Sequence, residues 1–512
     1  MPKSNHQPLH IVFLHLDLGI GGAEQLIVNL ALASLPRGEE NDNQDDNDDD
    51  YLNAKVSIFT THCDQSHCFD AVSKSKNHSG RLANSVYVVG SFIPVNIFGY
   101  GTVFFSTIRM LYLSMIARWT FPNADVFLLD VLPTPIPFLI WSQVKSVIYY
   151  CHFPDKLLKR DTVNGVVFDK EKRPKQLFKD VLKGWYRYMM NSIEEWSMSY
   201  ADLCCLNSNF TKTEVLKAFP RLLNHYTRKN GENPPEDSFM EVLYPAIDLD
   251  KFIQPDFESK KKLVLKEKKA PIVSLNRFER KKNIEVLLDA YSILFKKCNN
   301  SNSDISNSNQ IDCCLPILII SGGYDPRNQE NVEYLLELKH KAKALNIENL
   351  VSFRPNITDD ERAELLQSAI CVVYTPHREH FGIVPLEAMY AGSAVVAGNS
   401  GGPTETVING KTGILVDMTP GYSDSAHNLA FALDKLLQGP KKAIMMGEAG
   451  HNHVKLKFGL KQFRAQWKEL VLMKGIPNGI ERSKTQRFAH QQIMIFIGFL
   501  VLILGKFLIQ AL

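Results

Sequence analysis

Residues 374–414 read YTPHREHFGIVPLEAMYAGSAVVAGNSGGPTETVINGKTGI, and this stretch decides both the fold and the chemistry of the chain. Two carboxylates, Glu379 and Glu387, stand eight positions apart in it. Pro385 marks the beginning of a helix, because proline is tolerated at the first helical position. We therefore expect Glu379 in a loop and Glu387 on the first turn of that helix. Backbone N–H groups at a helix start attract anions, so the stretch predicts a site for a phosphate-bearing ligand.

A second glycine turn, Gly401-Gly402-Pro403, opens another short helix in the same stretch and is expected to offer further amides to a phosphate. Upstream, short apolar runs alternate with helical stretches, which predicts an α/β fold with parallel sheets. The runs that predict strands are 9–16, 54–60, 125–129, 146–151, 203–207, 242–245, 271–275, 315–321, 351–353 and 370–374.

The first apolar run, Leu9 to Leu16, is followed by a glycine loop and a helical stretch from Glu24. Strand, glycine turn and helix follow one another in this order in the phosphate-binding part of a Rossmann unit. Gly21 and Gly22 are therefore candidate ligands of a diphosphate.

Two cations follow the strand predicted at 271–275. Arg277 and Lys282 are five residues apart, and this spacing lets both side chains converge on one diphosphate from a loop and a helix start. Positive groups placed where negative charge develops are most effective in a cleft from which water is excluded. The pair predicts a binding site for a diphosphate.

These motifs resemble those of the retaining nucleotide-sugar glycosyltransferases with the GT-B architecture. Glu379 and Glu387 match the Glu-x7-Glu motif of that family, and Arg277 with Lys282 matches its Arg-x4-Lys signature. The loop 19–24, GIGGAE, is similar to its first glycine loop.

The resemblance covers about residues 10–475 and implies an α/β fold of two Rossmann-like domains facing across a cleft. It implies an N-terminal acceptor domain over 1–255 and a C-terminal nucleotide-sugar domain over 256–450. A crossover helix over 451–475 would return to the first domain. A hydrophobic membrane segment at 493–512 is expected from the composition of the chain itself.

Within the family, the stretches 149–155 (YYCHFPD) and 242–248 (VLYPAID) resemble the mannosyltransferases that extend the dolichol-linked oligosaccharide of the endoplasmic reticulum. The resemblance implies GDP-mannose as donor and a dolichol-diphosphate-linked oligosaccharide as acceptor, with α-1,3 and α-1,6 linkages formed under retention. Membrane lipid and other enzymes of the same pathway are further implied partners. Three alternatives stay open: a lipid-linked α-1,2-mannosyltransferase, a nicotinamide dehydrogenase and a non-catalytic membrane scaffold.

The same resemblance implies roles for individual residues. The catalytic set is Glu379, His152, Arg277 and Lys282. The donor-binding set is Gly21, Gly22, Arg277, Lys282, Arg354, Glu379, Phe381, Gly382, Ile383 and Glu387. Within these sets Glu387 is expected to bind the ribose and Glu379 the mannose, while Arg354 is a candidate for reading guanine. His152 follows a predicted strand and is expected to contact a sugar or the acceptor.

No metal ion and no cofactor is expected. The acidic block 41–50 is rich in Asp, but it lacks apolar neighbours to fix its geometry, and such charge runs are usually solvated. The pairs His62-Cys63 and His67-Cys68 have ligand chemistry but no standard zinc spacing, so we interpret them as an ordinary loop or an acceptor contact.

The net charge is +3 although residues 39–50 carry eight acidic side chains, so the rest of the chain is clearly basic. A basic body suits a phosphate-bearing donor and an anionic membrane surface, and without a recognised binding module we exclude nucleic acid. Nine cysteines, an odd number without a repeating spacing, predict reduced thiols in a body that faces the cytosol.

Residues 493–512 form an apolar run long enough to cross a bilayer, interrupted by Lys506 and Gln510. Basic residues precede it at 474, 482, 484 and 487, which favours a body on the cytosolic face of the endoplasmic reticulum membrane. A second apolar stretch, Ile93 to Trp119, has two interpretations: a segment that seeks the lipid surface, or an ordinary buried helix.

Overall fold

The computed structural model describes residues 8–38, 51–74, 79–97, 101–142, 144–154, 174–222, 239–249, 254–267, 270–302, 315–421 and 423–485. These residues form two compact units. The first comprises the described residues up to Asn207, those within Thr211–Tyr244, and those from Phe463 onward. The second comprises Ser208–Phe210 and the described residues within Pro245–Gln462. The acidic block 41–50 and the segment 493–512 lie outside the described residues.

The first unit contains a seven-stranded sheet in which every neighbouring pair of strands is parallel. Its strands are β1 (His10–Leu14), β2 (Lys55–Thr60), β3 (Val86–Val88), β4 (Val126–Asp130), β5 (Ser146–Cys151), β6 (Leu203–Leu206) and β7 (Met240–Val242). The helices along it are α1 (Gly22–Ser34), α2 (Thr102–Thr120), α3 (Ile136–Trp141), α4 (Pro174–Met198) and α5 (Asn209–Ala218).

The strand order of this sheet is β3-β2-β1-β4-β5-β6-β7. The central strands are buried on both faces, as the apolar run Ile11–Leu14 and the run Val126–Leu129 require. The chain reverses its direction of travel across the sheet between β1 and β4. In open α/β sheets, ligands bind beside the carboxyl ends of the strands at such a switch point.

The second unit repeats this arrangement with six parallel strands in the order β10-β9-β8-β11-β12-β13. These are β8 (Ile272–Leu275), β9 (Leu318–Gly322), β10 (Val351–Pro355), β11 (Cys371–Tyr374), β12 (Ala394–Gly398) and β13 (Gly413–Val416). Its helices are α6 (Phe257–Lys261), α7 (Glu285–Asn302), α8 (Gln329–Ala344), α9 (Asp359–Ser368), α10 (Ile383–Tyr390), α11 (Pro403–Thr406), α12 (Ser425–Gln438) and α13 (Pro440–Lys457). The switch point of this sheet lies between β8 and β11.

The last described part of the chain joins the first unit. It contains α14 (Leu460–Glu469), a π-helical turn (Leu470–Gly475) and α15 (Ile476–Thr485). The indole of Trp467 donates to Ser34 at 2.8 Å, and Arg482 forms a buried ion pair with Asp202 at 2.6 Å. The structure divides the stretch predicted as one crossover helix, 451–475, because α13 ends at Lys457 before Gly459.

The predicted strands are present with shifted ends, and three further strands were not predicted from the sequence. Those three are β3, β12 and β13. The strand expected at 242–245 is instead Met240–Val242. The prediction of an α/β fold with Rossmann-like parallel sheets is confirmed in both units.

The apolar stretch 93–119 is helical only from Thr102. One face of α2 is buried through Met110, Leu113 and Ala117, while Trp119 is 75% exposed at its end. Burial thus accounts for one face of the helix, and most of its other positions are partly buried. In the described part of the chain, no helix is both long and apolar enough to cross a membrane.

Candidate active site

The candidate site of the second unit lies at the carboxyl ends of β8 and β11. Lys282 ends a single 3-10 turn, Arg280–Lys282, in the loop that follows β8. Thr375, the residue after β11, donates its hydroxyl to the Lys282 carbonyl at 2.6 Å. The two strands of the switch point therefore fix the backbone from which the Lys282 side chain extends.

Lys282 and Glu379 form an ion pair at the centre of this site. The Nζ of Lys282 lies 2.6 Å from Oε2 of Glu379, with the two side chains 15% and 23% exposed. Burial alone would raise the pKa of Glu379, but the charge and hydrogen bond of Lys282 outweigh burial and hold this pKa below its usual range. The structure thus brings together two of the predicted catalytic residues and keeps Glu379 ionised.

Gly402 locks the loop that carries Glu379. The N–H of Gly402 donates to the Glu379 carbonyl at 2.7 Å. A Cβ on Gly402 would lie 2.3 Å from backbone atoms of Phe381, so only glycine allows this approach. The expectation that the Gly402 amide is available to a phosphate is wrong, because this amide already holds the neighbouring loop.

The helix after Glu379 begins earlier than the sequence predicted. Gly382 is its N-cap, with φ at 83°, and α10 starts at Ile383, two residues before Pro385. Glu387 therefore lies on the second turn, and the prediction of the first turn is wrong. The N–H groups of Ile383 and Val384 occupy the first two helical positions and have no intrahelical acceptor. They form the positive end of α10 directly after the Phe381-Gly382 turn.

Glu387 is buried and forms an ion pair with Arg362 of α9. Burial raises the pKa of Glu387, and the charge and hydrogen bond of Arg362 only partly offset that effect. Sequence analysis missed Arg362. An Arg in the first turn of the helix after β10 was the available signal, but nothing in the sequence pairs that residue with α10.

The two remaining cations of the predicted donor set are not held in this cluster. The Arg277 side chain is 70% exposed, and its ion pair with Glu279 is long, at 3.7 Å. Arg354 is exposed on the edge strand β10 and donates to Ser352 of the same strand at 3.4 Å. Among the described contacts of Arg354, none reaches Glu379 or Glu387.

Gly21 and Gly22 lie at the N-terminus of α1 in the first unit. Gly21 is the N-cap in an extended conformation, and nothing lies within 4 Å of a Cβ built on Gly22. Glu24 supplies an acidic side chain in the first turn of the same helix. The role of both glycines in binding a diphosphate stays a prediction.

His152 belongs to a buried cluster at the carboxyl edge of the first sheet. Asp130, the last residue of β4, is fully buried and accepts from His152 Nε2 at 3.0 Å and from His15 Nδ1 at 2.7 Å. The three residues follow or end β1, β4 and β5, which are adjacent strands. Sequence analysis found His152 but missed His15 and Asp130, although polar residues at the ends of apolar strands were a usable signal.

The loop after β2 carries the pairs His62-Cys63 and His67-Cys68. Asp64 organises a turn there by accepting from the Ser66 amide at 2.9 Å. Burial and the neighbouring Cys68 raise the pKa of the Cys63 thiol to about 11, which disfavours the thiolate that metals require. Among the residues that the structure describes, no group of three or more His, Cys, Asp or Glu side chains could hold a metal ion.

The two parallel sheets share one strand order over six strands, which is a GT-B-like α/β fold, and the second sheet carries a cation–carboxylate pair at its switch point. Residues 255–453 match the family model described as glycosyl transferases group 1. Sucrose-phosphate synthase from Thermosynechococcus elongatus shares the fold with a TM-score of 0.59 at 19% identity, covering 91% of this chain and 98% of that one. WaaG, a glycosyltransferase involved in lipopolysaccharide biosynthesis, has a TM-score of 0.54 at 15% identity, covering 90% and 99%.

Sequence relatives refine this class. The α-1,3/1,6-mannosyltransferase ALG2 of Dictyostelium discoideum is 34% identical over 478 residues, which cover 91% of this chain and 99% of that protein. The protein of the same name from Homo sapiens is 33% identical over 461 residues, covering 89% and 94%. The chain belongs to the α-1,3/1,6-mannosyltransferase family, and the prediction of a glycosyltransferase of this kind is confirmed.

Proposed function

We propose that the chain transfers mannose from GDP-mannose, with retention, onto dolichol-diphosphate-linked Man1GlcNAc2 and Man2GlcNAc2 through α-1,3 and α-1,6 linkages. Membership of the α-1,3/1,6-mannosyltransferase family supports the linkages and the sugar. The observation that carries the proposal at the level of chemistry is the ion pair between Lys282 and Glu379 at the switch point of the second sheet. In this pair, an ammonium suited to binding a phosphate lies directly beside a carboxylate suited to binding sugar hydroxyls.

Lys282 and Arg277 are proposed to bind the diphosphate. The Lys282 ammonium has three N–H donors, so it can contact a phosphate oxygen without giving up Glu379. The mostly exposed Arg277 is not fixed by a short ion pair, and its planar guanidinium suits bidentate contact with phosphate. Together they stabilise the negative charge that develops on the departing diphosphate.

Glu379 and the start of α10 are proposed to bind the transferred mannose. An ionised carboxylate only accepts hydrogen bonds, so Glu379 can orient two donating hydroxyls of the sugar. Phe381, Gly382 and Ile383 bring the positive end of α10 next to it. Glu387, on the following turn, is proposed to accept from the ribose hydroxyls, and Arg354 stays a candidate for guanine.

Retention is proposed to follow from attack on the face that the diphosphate leaves. The bond between the anomeric carbon and the phosphate oxygen breaks, and the acceptor hydroxyl oxygen forms the new glycosidic bond. The proton of that hydroxyl passes to the departing phosphate, so no carboxylate has to act as nucleophile. The residues of this chain bind and orient the substrates, and they compensate the negative charge that develops on the diphosphate.

The chain is proposed to act at the endoplasmic reticulum membrane with its catalytic domains facing the cytosol. Basic residues before the apolar run 493–512 support this orientation. Lipid and the lipid-linked acceptor are the implied partners, together with other enzymes of the same pathway.

The test uses the full-length protein in detergent with radiolabelled GDP-mannose and short-chain dolichol-type acceptors carrying one or three mannoses. We expect transfer to the one-mannose acceptor and its loss in Glu379→Ala. Glu364→Ala, an exposed change on α9, is the matched control and should retain activity. Transfer only to the three-mannose acceptor would instead identify an α-1,2-mannosyltransferase, and no transfer to either would reject the proposal.

A further inference from the structure

The buried cluster of His15, Asp130 and His152 has a proton arrangement that follows from its geometry. Burial opposes the ionisation of Asp130, but the charge of His15 and the hydrogen bonds from both histidines keep the pKa of Asp130 below its usual range, so the carboxylate is ionised. An ionised carboxylate donates no hydrogen bond. Both ring nitrogens that face it, Nδ1 of His15 and Nε2 of His152, must therefore carry a proton.

His15 is the charged partner of Asp130. Its Nδ1 lies 2.7 and 2.9 Å from the two carboxylate oxygens, and it is nearly inaccessible to solvent. Burial opposes protonation, but the charge of Asp130, aided by a hydrogen bond to the Asp17 backbone, raises the pKa of His15 above its ordinary value. The imidazolium of His15 thus compensates the carboxylate of Asp130 inside the protein.

His152 is held from two sides and retains one acceptor. Asn207 donates to its backbone carbonyl at 2.8 Å, and Asp130 accepts from Nε2 at 3.0 Å. The imidazole is 26% exposed, and among the described residues Nδ1 has no hydrogen-bond partner. In the neutral ring with Nε2 protonated, Nδ1 carries a lone pair.

We propose that Asp130 and His15 are positioning residues for His152. Asp130 fixes the tautomer of His152 that carries its proton on Nε2, and His15 compensates the charge of Asp130. Nδ1 of a neutral His152 then accepts a hydrogen bond from a sugar hydroxyl. This inference rests on the proposed function, because that function supplies the sugar. The hydroxyl belongs either to the transferred mannose or to the acceptor, and the chemistry of recognition is the same for both.

The tautomer is tested first, without changing a buried residue. Full-length protein labelled with ¹⁵N-histidine gives ring-nitrogen signals, and those of His152 are identified by their absence in His152→Ala. We expect Nε2 of His152 to be protonated and Nδ1 unprotonated at pH 7.5. A doubly protonated ring, or the opposite tautomer, would overturn the proposal.

A double-mutant cycle then separates positioning from mere structural support. Loss of one neutral hydrogen bond predicts a fall in kcat/KM of about 3- to 10-fold for His152→Ala. Asp130→Asn should lower kcat/KM by about the same factor in the wild-type background. In the His152→Ala background it should lower kcat/KM by less than about 2-fold. If the two losses in kcat/KM multiply, Asp130 acts independently of His152, and this result would overturn the proposal.

A rise in the KM of GDP-mannose assigns the hydroxyl to the transferred mannose, and a rise in the KM of the acceptor assigns it to the acceptor.

His15→Gln tests the charge compensation. Glutamine can still donate to Asp130 but carries no charge, so the buried carboxylate loses its compensating partner. We expect kcat/KM to fall about as much as in Asp130→Asn, and by less than about 2-fold in the His152→Ala background. His10→Gln, at the opposite end of β1, is the matched control and should keep the wild-type kcat/KM. An unchanged kcat/KM in His15→Gln, or a loss that multiplies with that of His152→Ala, would overturn the role of His15.

The other titratable groups beside the cluster do not supply positive charge in place of His15. Burial raises the pKa values of Tyr149 and Tyr150 well above their usual range, so both remain neutral. Cys151 is buried beside them, and the negative charge of Glu24 helps to raise the pKa of His15. If wild-type protein transfers no mannose, the proposed function fails, whereas the ¹⁵N signals still decide the tautomer.

Discussion

The carboxyl edges of the two sheets carry ion clusters of opposite character. In the first sheet, Asp130 is fully buried between two histidines, and its charge is neutralised inside the protein. In the second sheet, Lys282 and Glu379 are partly open to solvent, and Arg277 is 70% exposed. Both clusters follow strands with the same order around a switch point.

This difference shows that strand order determines where a site lies, while burial determines which kind of ligand its charged residues can bind. A buried charge has lost its hydration and must be paired within the protein, so the first cluster is suited to orienting a neutral group. A partly exposed cation retains the ability to exchange water for a phosphate oxygen. The second cluster is therefore suited to binding a charged ligand.

Lys282→Met gives the largest expected effect, because it removes the proposed phosphate contact and leaves Glu379 without its cation. We expect kcat/KM for mannose transfer to fall by about 10²- to 10³-fold, as for other groups that stabilise developing charge. Lys281→Met is the matched control: Lys281 is 68% exposed and pairs with Glu279. Equal losses in the two variants would remove Lys282 from the proposed site.

Arg277→Gln should lower kcat/KM by about 10- to 100-fold through the diphosphate. Because this side chain is mostly exposed, its loss should change the free energy of unfolding by less than about 0.5 kcal/mol. Urea unfolding and transfer kinetics check both numbers. Arg327→Gln, which removes an exposed ion pair with Asp325, should leave both unchanged. A large loss of stability in Arg277→Gln would contradict the contrast between exposed and buried cations.

Glu387→Gln should raise the KM of GDP-mannose by about 10-fold and change kcat less. The amide retains the shape of the side chain but loses the charge that Arg362 contacts and that is proposed to bind the ribose hydroxyls. Steady-state kinetics at varied donor concentration measure this split. Glu364→Gln, exposed on α9, is the control. A fall in kcat alone, with the donor KM unchanged, would place Glu387 outside the donor site.

The pH dependence of donor binding is the smallest expected effect. Burial raises the pKa of Glu387 above its ordinary value of 4.5, so the carboxyl gains a proton at milder acidity than usual and loses acceptor capacity below that pKa. The KM of GDP-mannose in wild type should therefore rise as the pH falls towards the raised pKa of Glu387. Glu379 retains its charge there because Lys282 lowers its pKa. The same rise in Glu387→Gln would exclude Glu387 as its source.

Sequence patterns predict the fold well because the central strands are short, continuous apolar runs. The strands that were missed have physical reasons. β3 is only three residues long at a sheet edge, with no buried position. β12 is the AVVAG segment, fully buried, but it was absorbed into the motif around the glycine turn. Local periodicity cannot separate a strand from the loops of such a motif.

The candidate site is predictable where its residues are close in sequence and not where they pair across the fold. Glu379 and Lys282 were both found, but their ion pair joins residues 97 positions apart. His15 and Asp130 are 115 positions apart, and only the adjacency of β1 and β4 brings them together. Arg362 depends in the same way on α9 packing near α10. Strand order, which spacing alone does not reveal, creates these pairs.

The buried pair of Asp202 and Arg482 sets a boundary for shortened versions of the chain. Arg482 contacts both carboxylate oxygens of Asp202, at 2.6 and 3.0 Å, and reaches the Val144 carbonyl. Removing one partner of a buried ion pair costs about 3–5 kcal/mol. A protein truncated after Gly475 would leave Asp202 without its cation and would express poorly, whereas one ending at Thr485 would retain the pair.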